Sequence, residues 1–157
     1  MTRISRMTAT VAAAFSAAIL LTAPMVQAAE DLIKLESKHD VATTLDRLEA
    51  ALGKAGATVF ARIDHAKGAA GVGVDMAPNQ ALIFGNPKIG SEPIAAAPTA
   101  GLDLPLRVVA YEADGKTWLV YRDPAVFAAT HDLPADHPKV KAMTGALSKL
   151  TAKATGE

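Results

Sequence analysis

Residues 106–112 and 116–122 are two alternating apolar and polar runs joined by Ala113-Asp114-Gly115, and this joint leaves the chain few ways to fold. Asp-Gly supplies the positive backbone angles of a tight turn whose twist matches the flanking strands, so the two runs predict an antiparallel hairpin. Alternation puts Trp118 on the side of Val120 and away from Tyr121. Both faces of the hairpin are therefore apolar and both need cover. One helix can cover only one face. The other is expected either to be roofed by the segment 89–105 or to meet a second copy of the chain.

The rest of the chain supplies the elements around that hairpin. Residues 32–38 read as a short strand, and Asp40 stands where a helix N-cap belongs, ahead of Val41, Leu45, Leu48 and Leu52 at helical spacing. Gly53 and Gly56 mark the end of that helix. In the next strand, 57–65, Val59, Ala61, Ile63 and His65 share one face, and Phe60, Arg62 and Asp64 the other. Residues 66–79 read as an irregular, glycine-rich connection with at most one helical turn. A strand at 80–84 is stopped by Gly85-Asn86-Pro87. Gly90, Pro93, Pro98 and Gly101 break up residues 89–105, which read as an excursion long enough to be functional. Asp123-Pro124 starts a short helix through Phe127. Asp136 with Pro138 starts a last helix, with Val140, Met143, Leu147 and Leu150 on one stripe. The expected order is β-α-β-β-β-β-α: an α+β fold with an antiparallel sheet of about five strands packed on a long helix.

At the N-terminus, Arg3 and Arg6 precede an apolar run at 11–21 and a small-residue cleavage site at Val26-Gln27-Ala28. This pattern reads as a signal peptide over 1–28, cleaved near Ala28, because the run is shorter than the ~20 apolar residues a spanning helix needs and Pro24 interrupts it. A periplasmic or secreted protein is expected, with a single domain over 29–157 and no membrane association after cleavage. Removing the leader takes away two of the 16 basic residues and none of the 16 acidic ones, so the mature part carries a net charge of −2. The chain has no cysteine. Disulfides, thiolate metal sites, thioether-bound haem and a lipoprotein anchor are thereby excluded.

Four stretches together resemble a known family. They are Phe60-Ala61-Arg62-Ile63-Asp64-His65, Phe84-Gly85-Asn86-Pro87-Lys88-Ile89-Gly90, Gly101-Leu102-Asp103-Leu104-Pro105, and the corner Tyr121-Arg122-Asp123-Pro124. In order and spacing, from about Leu35 to Leu133, they are similar to the domain-of-unknown-function family 302. The resemblance implies a helix-grip fold similar to the TATA-box-binding-protein-like class, commonly homodimeric, and brings no established activity. Architecture alone transfers no function, and a slightly acidic chain with few aromatics lacks the basic sheet face that reading nucleic acid requires.

Candidate ligand contacts are Asp64, His65, Asn86, Lys88 and Tyr121. His65 ends a strand beside Asp64, where an imidazole is useful as a base or ligand contact, although it also suits a hydrogen bond to the next loop. Gly85-Asn86-Pro87-Lys88-Ile89-Gly90 could form a small nest of backbone N–H groups for an anion, or an ordinary tight turn. If the strand ends bearing His65 and Asn86 meet, they frame one cleft. Gly85, Pro87, Gly90, Pro105, Asp123 and Pro124 read as turn formers, and Tyr121 equally suits the core. His39, His131 and His137 show no metal-binding spacing, so no metal is expected, no cofactor is indicated and no catalytic residue is assigned.

Three function classes follow. A small-molecule-binding or accessory module of the periplasm fits the compact size and the absence of a catalytic motif. A structural homodimer needs only an apolar sheet face, with roughly 800 Å² hidden per partner by residues such as Val109, Tyr111 and Trp118. An enzyme would have to use His65 with Ser91, Thr44 or Thr58, or pair Asp64 with Asp123 or Glu112. The order of preference is binding, then structural, then enzymatic.

Overall fold

The computed structural model describes residues 31–134 and 136–156, so the leader read at 1–28 lies outside the described residues. Strands β1 (Leu32–Ser37), β2 (Thr58–Asp64), β3 (Asn79–Gly85), β4 (Leu106–Ala113) and β5 (Lys116–Arg122) form one antiparallel sheet in the order β1-β5-β4-β3-β2. Its centre is the hairpin of β4 and β5, which turns at Asp114 and Gly115 with φ of 54° and 71°, the two positive angles the Asp-Gly pair was expected to supply.

Helix α1 (Val41–Lys54) begins where the Asp40 carboxylate accepts the Thr43 N–H at 2.7 Å. That hydrogen bond holds the Asp40 carboxyl below the usual carboxylate range. Gly56, at φ 73°, releases the chain into β2. Helix α2 (His65–Ala70) is a single short turn capped by Asp64. Helix α5 (Pro138–Thr155) starts one residue later than Asp136 suggests, because the His137 ring accepts the Lys139 N–H and caps it.

Helices α1 and α5 together cover one sheet face. Their buried Val41, Leu45, Leu48, Leu52 and Leu147 pack on Leu82, Phe84, Val108, Ala110, Leu119 and Tyr121. The last helix buries Val140, Met143 and Leu147 as its stripe implied, and continues it through Thr151, Ala154 and Thr155. The grip is therefore made by two helices rather than one.

The segment 89–105 corrects the reading of an open excursion. Residues Pro87–Ala96 form helix α3, and Pro98–Leu102 a 3-10 turn. Asn86 caps α3 and Pro87 fills its first position, so the residues read as a tight turn are a helix start; Gly90 lies inside the helix. Helix α3 packs on α5 and the 3-10 turn rather than roofing the open sheet face. With α4 (Pro124–Thr130), capped by Asp123, it builds a second core of Ala100, Leu104, Phe127, Ala128, Leu133, Val140 and Met143. Pro105 follows a cis peptide bond at the entrance to β4.

Strand β2 departs from simple alternation. Its register with β3 shifts between Val59 and Ala61, leaving Phe60 as a bulge. Beyond the bulge Arg62 stands opposite Leu82 on the helix-covered face, where it reaches Asp46, Glu49 and the Ala42 carbonyl on α1. Val59 and Ala61 therefore lie on opposite faces. Counting by twos failed because one extra residue reverses every side chain after it.

Candidate functional site

The sequence-derived contacts do not assemble into one site. Asp64 stands opposite Gln80, and Thr58 opposite Gly85, so His65 and Asn86 lie at opposite ends of the β2–β3 ladder. The expected cleft between them does not form. His65 is exposed in the first turn of α2. Asp64 is occupied by the Lys67 N–H and the Gln80 amide. Tyr121 is buried in the main core, where burial raises its phenol above the ordinary range, with Thr151 acting the other way. Lys88 is exposed at the start of α3.

A cleft of about 260 Å³ does open at the Asn86 end of the sheet. It lies where the two cores part, and Leu106 packs against both. One wall is the end of α1 and the turn after it (Leu52, Ala55, Ala57). The floor is Phe84, Gly85 and Leu104-Pro105-Leu106. The remaining walls are α3 (Pro87, Gly90, Ile94) and α5 (Met143, Ala146, Leu147, Leu150). Phe60 reaches this cleft because the bulge displaces it from the pleat. A Cβ on Gly85 would just touch the Phe60 ring at 3.5 Å and Pro105 at 3.4 Å, so these two residues flank the glycine at that end of the sheet.

Among the described residues, two lining side chains, Asn86 and Ser91, can form hydrogen bonds. Asn86 is already committed, since its Oδ1 accepts the Lys88 N–H and its Nδ2 donates to the Gly56 carbonyl, each at 3.0 Å. The asparagine thus ties the α1–β2 turn to the start of α3 and sets the width of the cleft between them. Its role is to hold the walls, and the lining left to a guest is apolar apart from the Ser91 hydroxyl.

A polar cluster not found from the sequence lies beside the second core. The His131 ring is buried between the Thr99 hydroxyl, 3.0 Å from Nδ1, and the Asp103 carboxylate, 2.9 Å from Nε2. Arg107 and Arg122 each approach Asp103 at 3.9 Å. A hydroxyl, an imidazole and a carboxylate in line have the connectivity of a nucleophile relay. Thr99 and His131 line neither this cleft nor the groove on the open sheet face, which only Asp103 of the three reaches. The cluster binds the 3-10 turn to the end of α4. Spacings of 28 and 32 residues between its members gave no local motif.

The sheet face opposite the helices carries Ala81, Ile83, Val109, Tyr111, Trp118 and Val120. Lys34 lies over the Trp118 ring at 4.0 Å and over Tyr111 at 5.5 Å. A groove along this face runs past Leu32, Val109, Val120, Arg107 and Arg122. Among the described residues no group of three or more His, Asp or Glu side chains is arranged to hold a metal ion.

Comparison with known proteins places the fold and the family. A solved structure described as an uncharacterized conserved DUF302 protein from Bacillus stearothermophilus superposes with a TM-score of 0.73 at 19% identity, over 79% of this chain and 98% of that one. Curated relatives include proteins named fluoride-specific ion channel FluC 1 from Brucella suis biovar 1 and FluC 2 from Brucella melitensis biotype 1. Each is 39% identical over 128 residues, which is 80% of this chain and 50% and 47% of theirs. The chain thus spans about half the length of the curated relatives it matches. The family model described as domain of unknown function DUF302 matches residues 33–153, nearly all of the sheet and its helices, and the chain belongs to that family.

Proposed function

We propose that the chain is an exported binding module whose ligand is a small, predominantly apolar molecule held in the cleft between α1, α3, α5 and the strand ends. The observation that carries this reading is a mostly apolar cleft of about 260 Å³ between the two cores. A concave, mostly apolar cleft with few polar groups is the form small-molecule sites take. Scaled from the ~150 Å³ cavity that takes a benzene ring, the cleft holds roughly ten carbon atoms.

Calorimetric titration with straight-chain primary alcohols tests it. Affinity should rise about fourfold for each added methylene up to about ten carbons, from ~0.8 kcal/mol per buried methylene, and then level off. Gly90→Leu should lower 1-decanol affinity at least tenfold, since a side chain there meets no atom within 4 Å and would occupy the cleft. An alcohol series that shows no saturable binding sinks the reading.

Export to the periplasm or beyond rests on the charge, apolar run and cleavage pattern of residues 1–28. An accessory role beside a membrane protein is favoured by the curated relatives, in which the matching stretch is about half of a chain named as a fluoride channel. No described helix here is long and apolar enough to cross a membrane. On this reading the shared half is a binding module attached to the transporting half. A second reading, homodimerisation through the open sheet face, is favoured by an apolar strip that none of the described helices covers. Five strands of six to eight residues span roughly 24 by 22 Å. With side-chain relief that is on the scale of the ~800 Å² per partner of a standard interface.

A further inference from the structure

We propose that Arg107 and Arg122, paired across β4 and β5 on the open sheet face, hold the head of a small organic monocarboxylate whose apolar body lies on Leu32, Val109 and Val120. This site is separate from the cleft: of the residues lining the groove on this face, Leu106 alone also lines the cleft. The register that sets Val108 opposite Tyr121 sets Arg107 opposite Arg122 one step further from the turn, and alternation puts both on the face that carries Val109 and Val120. Both arginines line the groove. Like charges directly opposite each other on a sheet repel, so the pair gains when an anion comes between them.

One carboxylate offsets the pair only in part. Asp103 Oδ1 stands 3.9 Å from each guanidinium, beyond hydrogen-bonding reach, while its Oδ2 lies 2.9 Å from the His131 ring. Among the described residues no other carboxylate comes within 4.0 Å of either arginine. Asp123, next to Arg122 in the chain, accepts the Ala125 N–H and caps α4. Two guanidiniums sharing one carboxylate leave a single positive charge unmatched, which a carboxylate neutralises and a phosphate dianion would overshoot. Each guanidinium is a planar fork of donors that fits a carboxylate, and neither fork is spent on Asp103. The apolar part of the guest follows from the next pair. Val109 and Val120 face each other two residues along both strands, roughly 7 Å from the arginines, and Leu32 stands opposite Arg122 on β1. Lys34, opposite Val120, extends over the Trp118 ring at 4.0 Å, away from the arginines. A body of about five carbons therefore covers the valines before it meets the lysine.

Methyl-resolved NMR of the protein titrated with hexanoate, 1-hexanol or hexylamine tests this, at low salt and in about 0.5 M salt. Hexanoate should move the Leu32, Val109 and Val120 methyls saturably, at concentrations about tenfold below those at which 1-hexanol moves them, and hexylamine should leave them in place. High salt should remove most of the hexanoate advantage, as exposed charges require. Arg107→Gln/Arg122→Gln should lose that advantage with the rest of the spectrum unchanged, and Arg107→Lys/Arg122→Lys, which keeps the charge without the fork, should retain only part of it. Hexanoate acting no more readily than 1-hexanol would overturn the inference, and so would a preference that survives in the glutamine variant. Shifts at Ile89 and Ile94 in place of the sheet-face methyls would send the anion to the cleft, overturning this site while leaving the cleft reading intact. Methyls that respond to protein concentration and not to hexanoate would assign the groove to a second copy of the chain and overturn the site as well.

Discussion

His131 shows how one side chain can be essential to a fold without signalling itself in the sequence. Its ring is almost wholly enclosed and both nitrogens are matched, to Thr99 and Asp103. Removing it leaves the Asp103 carboxylate without its closest partner beside the second core. His131→Ala should therefore lower unfolding stability by about 2 kcal/mol in urea, whereas Thr99→Val, at an exposed position, should stay within about 0.5 kcal/mol. Equal effects would mean that the cluster does not act as a staple. At this scale the sequence reading was uneven for a physical reason. Asp40 and Asp123 could be placed because capping is local, acting over two or three residues, whereas Asn86, read as part of a tight turn, caps a helix that its glycine and proline neighbours concealed. His65, Asn86 and Tyr121 could not be related to each other, since their relation depends on strand register.

Among the elements, the hairpin and α1 were legible because their signals repeat, as alternation on either side of Asp-Gly and as a leucine stripe after a cap. Helix α3 was not. Gly90 and Pro93 are breakers in an exposed helix, and here they are tolerated because Asn86 and Pro87 start the helix and Pro93 is buried against its neighbours. The same helix supplies one wall of the cleft, so missing it meant missing the site. Two glycines separate conformational need from mere tolerance. Gly90 needs no left-handed angle and has open space at its Cβ position, so Gly90→Ala should stabilise the protein by up to about 1 kcal/mol. Gly56 holds φ at 73°, and Gly56→Ala should destabilise by about 1 kcal/mol although nothing lies within 4 Å. Thermal denaturation of the pair checks both signs, and a shift in the same direction for both would contradict the account.

For the molecule as a whole, two-sided hydrophobicity of the hairpin implied cover on both faces, and among the described residues α1 and α5 cover one of them. The bulge at Phe60 could not be foreseen from alternation, yet it turns an aromatic ring toward the cleft and leaves Arg62 to clamp β2 onto α1. The homodimer reading places Val120 near the middle of the hidden face. Sedimentation at tens of micromolar should give a dimer for the chain over residues 29–157 and a folded monomer for Val120→Arg, because an arginine there would be buried without a partner. A monomeric wild-type chain would sink the reading.

The central claim is that the ligand site is the cleft where the two cores part, and methyl-resolved NMR during a 1-decanol titration tests it most directly. The account predicts saturable shifts at Ile89, Ile94, Met143 and Leu150, with Ile63, Val109 and Val120 on the open sheet face unmoved. Shifts concentrated on those three residues, with the cleft methyls silent, would contradict it and move the binding surface to the other side of the sheet.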